Sequence, residues 1–209
     1  MKAFLAEKIR RHWPMIVNVV LVVALGRYAV VKAWEAWDAG QFNFVEVAFA
    51  AHNLVMLTLI LVRRQHAAID RSIFRQFVAL VAFFSGIAFV KHPTDALLGW
   101  SQGIMFVAMV LGAITLFNLG RSFGILIAVR KVKTGGLYRV VRHPMYLTDI
   151  LWRVGYLAGN LCWPNAAIFV ASSACYVYRA MLEEKFLSQF PEYQEYKRKV
   201  RYRFVPGVF

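Results

Sequence analysis

The residues best suited to chemistry lie close together in one stretch, GGLYRVVRHPMYLTD, residues 135–149. Its two glycines allow a loop to bend and to approach a ligand closely. Pro144 favours the first position of a helix, which places His143 at the N-cap and leaves free backbone N–H groups for a carboxylate or phosphate. Tyr146 adds a hydroxyl and an aromatic face that suits a cation or a flat ring. The stretch predicts a binding site at the start of a helix.

A second polar group follows the next apolar runs, in YRAMLEEKFLSQFPEYQEYKRKV, residues 178–200. Arg179 and Glu183 are four residues apart and share a helix face, with Glu184 beside them. An arginine can bind an anionic group, and a carboxylate can bind an ammonium or ribose hydroxyls. If the intervening runs form a helical hairpin, both polar groups converge on one site. The alternative is a set of snorkelling charges and aromatic anchors at a membrane surface.

Two further pairs of charges lie within apolar runs, where ionisable groups are costly and are usually paired or functional. Arg27 and Glu46 fall near the ends of neighbouring runs, which favours a structural ion pair between two helices. Asp149 and Arg153 are four residues apart, so they can either pair on one helix face or line the site. Both interpretations of the second pair are open from the sequence.

Metal chemistry has no support in the sequence. There is no HxxxH, HExxH or CxxC motif, and His52 is isolated on an apolar run. A packed histidine is more common there than a metal ligand. Cys162 and Cys175 are expected to be small apolar fillers rather than a disulfide.

The elements that must position these groups are apolar helices. Hydrophobic residues make up 60% of the 209 residues and charged residues 17%, with a mean hydropathy of +0.52. About 20 residues cross a bilayer as a helix, and six runs approach that length: 14–34, 42–62, 73–90, 96–119, 145–161 and 164–182. The pattern predicts an all-α, multi-pass integral membrane protein. Its last two runs, separated by LCWPN, are expected to form a tight helical hairpin.

The basic residues predict the orientation. The net charge is +14, and 21 of the 25 lysines and arginines lie at the N-terminus, in the second and fourth loops, or around the tail. By the positive-inside rule, both termini and the fourth loop face the cytoplasm, and so does the polar site. Membrane lipids are the expected neighbours. Nucleic acid is not an expected partner, because no nucleic-acid-binding motif accompanies the charge. The oligomeric state is left open.

The motif GLYRVVRHPMY, followed about 40 residues later by EEKFLSQFPEYQEYKRKV, resembles the isoprenylcysteine carboxyl methyltransferase family, whose wider group includes phospholipid N-methyltransferases. The family pattern is GxY-xxx-RHPxY, a helical hairpin, R-xxx-EE-xx-L and a basic tail rich in tyrosine. The matching residues are Gly136, Tyr138, Arg142, His143, Pro144, Tyr146, Arg179, Glu183, Glu184, Leu187, Tyr193 and Tyr196. The resemblance implies an S-adenosylmethionine-dependent membrane enzyme, with transmembrane helices in residues 1–117 and a catalytic region in 118–209.

The resemblance also implies roles for single residues. S-adenosylmethionine would be bound by the loop, the first turn of the fifth helix and one carboxylate: Lys131, Val132, Lys133, Tyr138, His143, Pro144, Met145, Tyr146 and Glu183. Arg179 matches the family's arginine at the acceptor's anionic group, so it is an expected catalytic and acceptor-binding residue, and Arg121, in the place of the family's polar stretch before the first motif, is expected to contribute to the acceptor site. The chemistry of the residues themselves adds Glu184 as a catalytic proton acceptor for an amine, and Asp149 and Arg153 as acceptor-binding residues.

The acceptor and two rival functions stay open. Carboxyl methyltransferases of the family commonly have a small residue such as glycine where this chain has Thr148, followed by Asp149. A lipophilic acceptor from the bilayer is expected, with an isoprenylcysteine-type carboxylate or a phospholipid amine. The first rival is an NADPH-dependent reductase of the sterol reductase type, which has more helices. The second is a transporter or non-catalytic scaffold, which leaves both motifs unexplained.

Overall fold

The computed structural model describes residues 2–38, 44–93 and 98–208. Its helices are α1 (Lys2–Asp38), α2 (Phe44–Val62), α3 (Ile73–Phe84), α4 (Leu98–Leu119), α5 (Pro144–Gly159), α6 (Trp163–Leu187) and α7 (Pro191–Lys199). The expectation of a mainly helical chain is confirmed, and each predicted apolar run contains a helix. The predicted starts of the second and fourth runs, at 42–43 and 96–97, lie outside the described residues.

Two helical segments within the described residues are long and apolar enough to cross a membrane. They are α2 and Leu98–Ser122, which joins α4 to a short 3-10 turn, and each has a mean hydropathy of 2.0. Met15–Val31 and Ile73–Ala88 are shorter apolar helices. Large apolar side chains such as Leu54, Phe77 and Phe117 are exposed on these helices, which is typical of a surface that contacts lipid or a partner. Six membrane spans remain a prediction.

A short two-stranded ladder was not predicted. β1 (Ala68–Ile69) pairs antiparallel with β2 (Ala128–Val129). Gln76 of α3 extends the ladder, because its side-chain nitrogen donates to the carbonyl of Ile127 at 2.9 Å and its oxygen accepts from the N–H of Ile127 at 3.0 Å. The loop that follows α4 is thereby fixed to α3.

The predicted ion pair between Arg27 and Glu46 is wrong. Leu21 of α1 and Met56 and Ile60 of α2 belong to one buried apolar cluster, so the buried contact between the two helices is apolar. Both charged side chains are exposed, and none of the ion pairs between described residues joins them.

Close packing fixes α5 against α4. A Cβ atom on Gly155 would lie 3.0 Å from the backbone nitrogen of Met105 and 3.1 Å from the carbonyl oxygen of Ser101, so α4 and α5 approach closely only because this residue has no side chain. Residues 160–162 join α5 to α6. Asn165 then donates to the carbonyl of Asn160 at 2.7 Å, which ties the start of α6 to the end of α5.

Candidate functional site

α5 begins as the sequence predicts, with Pro144 in its first turn and His143 at the N-cap. The ring of His143 stacks on the ring of Tyr146, with centroids 5.2 Å apart and planes 10° from parallel. The Tyr146 hydroxyl donates a hydrogen bond to the carboxylate of Glu183 on α6. Two motifs that are distant in sequence therefore meet through their side chains.

The C-terminal tail holds the loop before α5 in place. The backbone N–H groups of Arg142 and His143 donate to the carbonyls of Tyr202 and Arg203, each at 2.9 Å. The side chain of Arg142 also donates through Nη1 to the carbonyl of Val200 at 2.8 Å. Because these bonds fix the backbone at the N-cap, the tail is part of the frame of the site.

Glu184 lies outside the lining of the cavity at the start of α5 and is surrounded by two arginines and a histidine. Its carboxylate accepts hydrogen bonds from Nε of Arg142 at 2.7 Å and from Nε of Arg203 at 3.1 Å, and it lies 3.2 Å from Nε2 of His143. Burial raises the pKa of Glu184, but hydrogen bonds from His143 and Arg142 outweigh burial and lower this pKa to about 2. Glu184 is therefore a buried, ionised counter-charge that holds the loop and tail together.

One cavity lies between the loop, α5, α6 and α7. Its cavity volume is about 130 Å³, and it is partly open to solvent. The predicted site residues that line it are Lys131, Val132, Lys133, Tyr138, His143, Met145, Tyr146, Asp149, Arg179 and Glu183. Four other predicted site residues do not line it: Pro144, Glu184, Arg121 and Arg153. The structure thus brings most of the predicted cofactor site into one space.

Two predicted acceptor residues are engaged elsewhere. Arg153 donates to the backbone carbonyl of Asp149 at 2.9 Å and to the Ser85 hydroxyl at 3.1 Å. A side-chain ion pair with Asp149, one of the two alternatives predicted, is not formed, and Asp149 is among the residues that line the cavity. Arg121 is exposed, and its Nε donates to the carbonyl of Val62 at the end of α2 at 2.9 Å.

Arg179 is positioned by α3 and by the loop that follows α4. It is buried on α6, and its Nη1 and Nη2 donate to the carbonyls of Ala79 on α3 at 3.0 Å and Ile125 at 2.6 Å. Its guanidinium lies 4.8 Å from the centroid of the Tyr146 ring. α3 therefore supplies part of the site, which the sequence did not predict.

Several residues of the cavity have a buried polar atom without a hydrogen-bond partner. Of eight such side-chain atoms in the described residues, four belong to residues that line this cavity: Ser122 Oγ, Arg130 Nε, Arg179 Nε and the Tyr193 hydroxyl. Buried polar groups in proteins are nearly always hydrogen-bonded. Their concentration in one space indicates a site for a polar ligand.

Three of these four residues were not predicted as site residues. Ser122 lies in NLGRSFG, the polar stretch just before the first motif, and Tyr193 lies in the tyrosine-rich tail, so both had a weak signal in the sequence. Arg130 had no such signal, because one more basic residue beside Lys131 and Lys133 is typical of a solvated loop. In the described part of the chain, no group of three or more His, Cys, Asp or Glu side chains could hold a metal ion.

Comparison with known proteins places this site in a family. Residues 94–192 match the family model "Phospholipid methyltransferase". Protein-S-isoprenylcysteine O-methyltransferase B of Arabidopsis thaliana is 30% identical over 169 residues, which cover 74% of this chain and 81% of that protein. A probable protein-S-isoprenylcysteine O-methyltransferase of Oryza sativa subsp. indica is 30% identical over 186 residues, covering 79% and 93% of the two chains.

A solved structure of the eukaryotic intramembrane Ras methyltransferase ICMT is also similar, with a TM-score of 0.45 and 16% identity over 96% of this chain and 97% of that one. The apolar composition and the two long apolar helices agree with an integral membrane protein. With 30% identity over most of the length of the plant relatives, the chain belongs to the isoprenylcysteine O-methyltransferase family and is a methyltransferase.

Proposed function

We propose that this methyltransferase moves the methyl group of S-adenosylmethionine to the carboxylate of an isoprenylcysteine-type lipophilic acceptor, at the cytoplasmic face of the membrane. The observation that carries the proposal is the cavity at the start of α5, which is lined by the hydrogen-bonded pair Tyr146 and Glu183 and by four residues that each have an unpartnered buried polar atom. The family supports the reaction class, and the names of the plant relatives support the acceptor.

The residues of the cavity fit S-adenosylmethionine. This molecule carries an ammonium, a carboxylate, ribose hydroxyls and a flat adenine, and the cavity offers cations, a carboxylate, hydroxyls and aromatic rings. We assign its binding to Tyr138, His143, Tyr146 and Glu183, with the backbone of 131–133. When bound, it supplies a methyl group already activated by a sulfonium, so the protein mainly has to hold two reactants in line and exclude water.

Arg179 is the proposed contact for the acceptor. Arg179 lines the cavity, its two terminal nitrogens are held by backbone carbonyls, and its buried Nε has no hydrogen-bond partner. A fixed buried cation with one spare donor suits a carboxylate, which is a charge-assisted interaction. A carboxylate acceptor is nucleophilic as it stands, so no general base is needed for this reaction.

Glu184 is therefore proposed as a positioning residue and not as a proton acceptor. It accepts hydrogen bonds from two arginines and does not line the cavity. A carboxylate with a pKa of about 2 is also a weak base at neutral pH.

The proposed topology has both termini and the site on the cytoplasmic side, with α5 and α6 as a hairpin whose ends return to one level. The excess of basic residues in the loops around the site supports this orientation. The cofactor would enter from the cytoplasm and the acceptor laterally from the bilayer, past apolar helices. Residues 1–117 would form the membrane framework and 118–209 the catalytic region, with Arg179 held in part by α3.

The cofactor proposal predicts selective binding. Purified protein in detergent should bind S-adenosylmethionine and not NADPH, measured by titration calorimetry. Glu183→Ala should weaken the binding of S-adenosylmethionine by roughly 10-fold or more, since it removes a charged partner. Glu195→Ala is the matched control, because Glu195 is exposed and pairs only with Lys199 in the described chain. Binding of NADPH, or equal binding of S-adenosylmethionine by both variants, would contradict the proposal.

The acceptor is tested with methyl-labelled S-adenosylmethionine. S-farnesylcysteine with a free carboxylate should become labelled, whereas its carboxamide and phosphatidylethanolamine should not. A phospholipid amine is the second candidate, because Asp149 lines the cavity and an anion there suits an ammonium. Label in phosphatidylethanolamine alone would reverse the choice of acceptor, and Asp149→Asn should then reduce that labelling.

A further inference from the structure

An unpaired cation and a carboxylate without an ion-pair partner line the same cavity. Among the described residues, Arg130 has no hydrogen bond or ion pair, and its buried Nε has no partner. The carboxylate of Glu183 accepts a hydrogen bond from the Tyr146 hydroxyl but is joined to no cation in this part of the chain. The cavity therefore contains a cation and an anion that form no ion pair with each other or with another described residue.

Packing holds the guanidinium of Arg130 where it is. A Cβ atom on Gly124 would lie 2.3 Å from Nη1 and 2.7 Å from Cζ of Arg130, so the guanidinium lies directly against the backbone of Gly124. Both residues line the cavity. Burial first, and then the charge of Arg63, lower the pKa of Arg130 to about 10, while Glu183 opposes this effect. Arg130 is thus protonated at neutral pH although it forms no ion pair with a described residue.

The other arginines that line the cavity already have partners within the chain. Both terminal nitrogens of Arg179 donate to backbone carbonyls, and Arg142 is paired with Glu184. Among the arginines that line the described cavity, Arg130 is the one whose terminal nitrogens have no partner. A planar guanidinium with two free nitrogens matches a carboxylate in a bidentate way, which a lysine cannot do.

We propose that Arg130 binds the carboxylate of the methionine part of S-adenosylmethionine, while Glu183 binds the ammonium on the same carbon. The inference rests on the proposed function, in which this cavity holds that molecule. It also orients the bound molecule: the amino-acid end of S-adenosylmethionine would lie between Arg130 on the loop and Glu183 on α6. The geometry of Gly124 is then part of the binding site, because a larger residue there would displace the guanidinium.

The test compares two ligands that differ only in the carboxylate, S-adenosylmethionine and its decarboxylated analogue, by equilibrium binding to the full chain in detergent. Wild type should bind the decarboxylated analogue roughly 10- to 100-fold more weakly, as is typical for loss of a charged hydrogen-bond partner. Arg130→Met should weaken the binding of S-adenosylmethionine by a similar factor and leave the binding of the analogue almost unchanged. The ratio of the two affinities should then fall to about one.

Two further variants separate the position of the Arg130 guanidinium from the effect of positive charge alone. Arg63→Met removes a neighbouring positive charge that does not line the cavity, and it should preserve the preference for the carboxylate. Gly124→Ala keeps the charge of Arg130 but displaces its guanidinium, and it should reduce the preference.

Equal binding of the two ligands by wild type would overturn the inference whether or not the variants fold, as would an undiminished preference in Arg130→Met. Those outcomes leave the proposed function intact, provided that S-adenosylmethionine binds. Failure of wild type to bind either ligand would instead overturn the proposed function, and this inference with it.

Discussion

Glu184→Gln is expected to destabilise the protein by about 3–5 kcal/mol, the usual cost of leaving a buried charge without its partner. The variant keeps the shape of the side chain but removes the negative charge that Arg142, Arg203 and His143 share. Arg142 is buried, so its charge cannot be solvated in compensation. Thermal unfolding in detergent, followed by circular dichroism, measures the loss.

The pH dependence of unfolding gives a second readout. Because the folded-state pKa of Glu184 is about 2 and its ordinary value is 4.5, its stabilisation is complete above about pH 4.5 and is lost as the pH falls towards 2. Glu184→Gln should remove this part of the acid sensitivity. Glu195→Gln, at an exposed carboxylate on α7, should unfold like wild type. If Glu184→Gln also did so, the role of Glu184 as a buried counter-charge would be refuted.

Gly136→Ala is expected to cost about 2–5 kcal/mol and to abolish methyl transfer. Gly136 has a φ of +59°, and a Cβ atom there would lie 1.5 Å from the side-chain oxygen of Asn118. The left-handed conformation costs an alanine about 1–2 kcal/mol, and overpacking adds about 1–3 kcal/mol. The loop carries Tyr138 into the cavity, so a shift of its backbone should reduce both unfolding temperature and cofactor affinity.

The neighbouring glycine provides the control. Gly135 has a φ of −98°, and a Cβ atom added there would contact nothing within 4 Å. Gly135→Ala should therefore leave unfolding temperature and activity nearly unchanged. Asn118→Ala in the Gly136→Ala background should recover the part of the loss caused by the collision and leave the part caused by φ. Equal behaviour of the two glycine variants would contradict this explanation.

The start of α5 could be predicted because its signals are local. A proline fixes the first turn, and the residue before it becomes the N-cap, so Pro144 and His143 identified the boundary without tertiary information. The meeting of Tyr146 with Glu183 needed only two motifs on consecutive helices. The resemblance to a known family supplied the cofactor, and the plant relatives support the same reaction class.

The roles of the charged residues were harder to predict, since they depend on which partners the fold supplies. Spacing of four residues put Arg153 beside Asp149, but a carbonyl of its own helix and the hydroxyl of Ser85 satisfy it instead. Glu184 is adjacent to Glu183 in sequence, yet the two carboxylates have different partners. Arg130 could be identified as a site residue only from the structure, because its buried Nε has no hydrogen-bond partner among the described residues.

The hydrogen bonds between the tail and the loop before α5 also determine when, during synthesis, the site can be completed. Arg142 donates to carbonyl groups that lie 58 and 59 residues further along the chain. During synthesis the apolar helices can form one after another, but this contact has to wait until residues 200–203 have left the ribosome. Closing a loop of this length also slows folding. A nascent chain stalled before these residues could thus form its apolar helices but not the complete frame of the cavity at the start of α5.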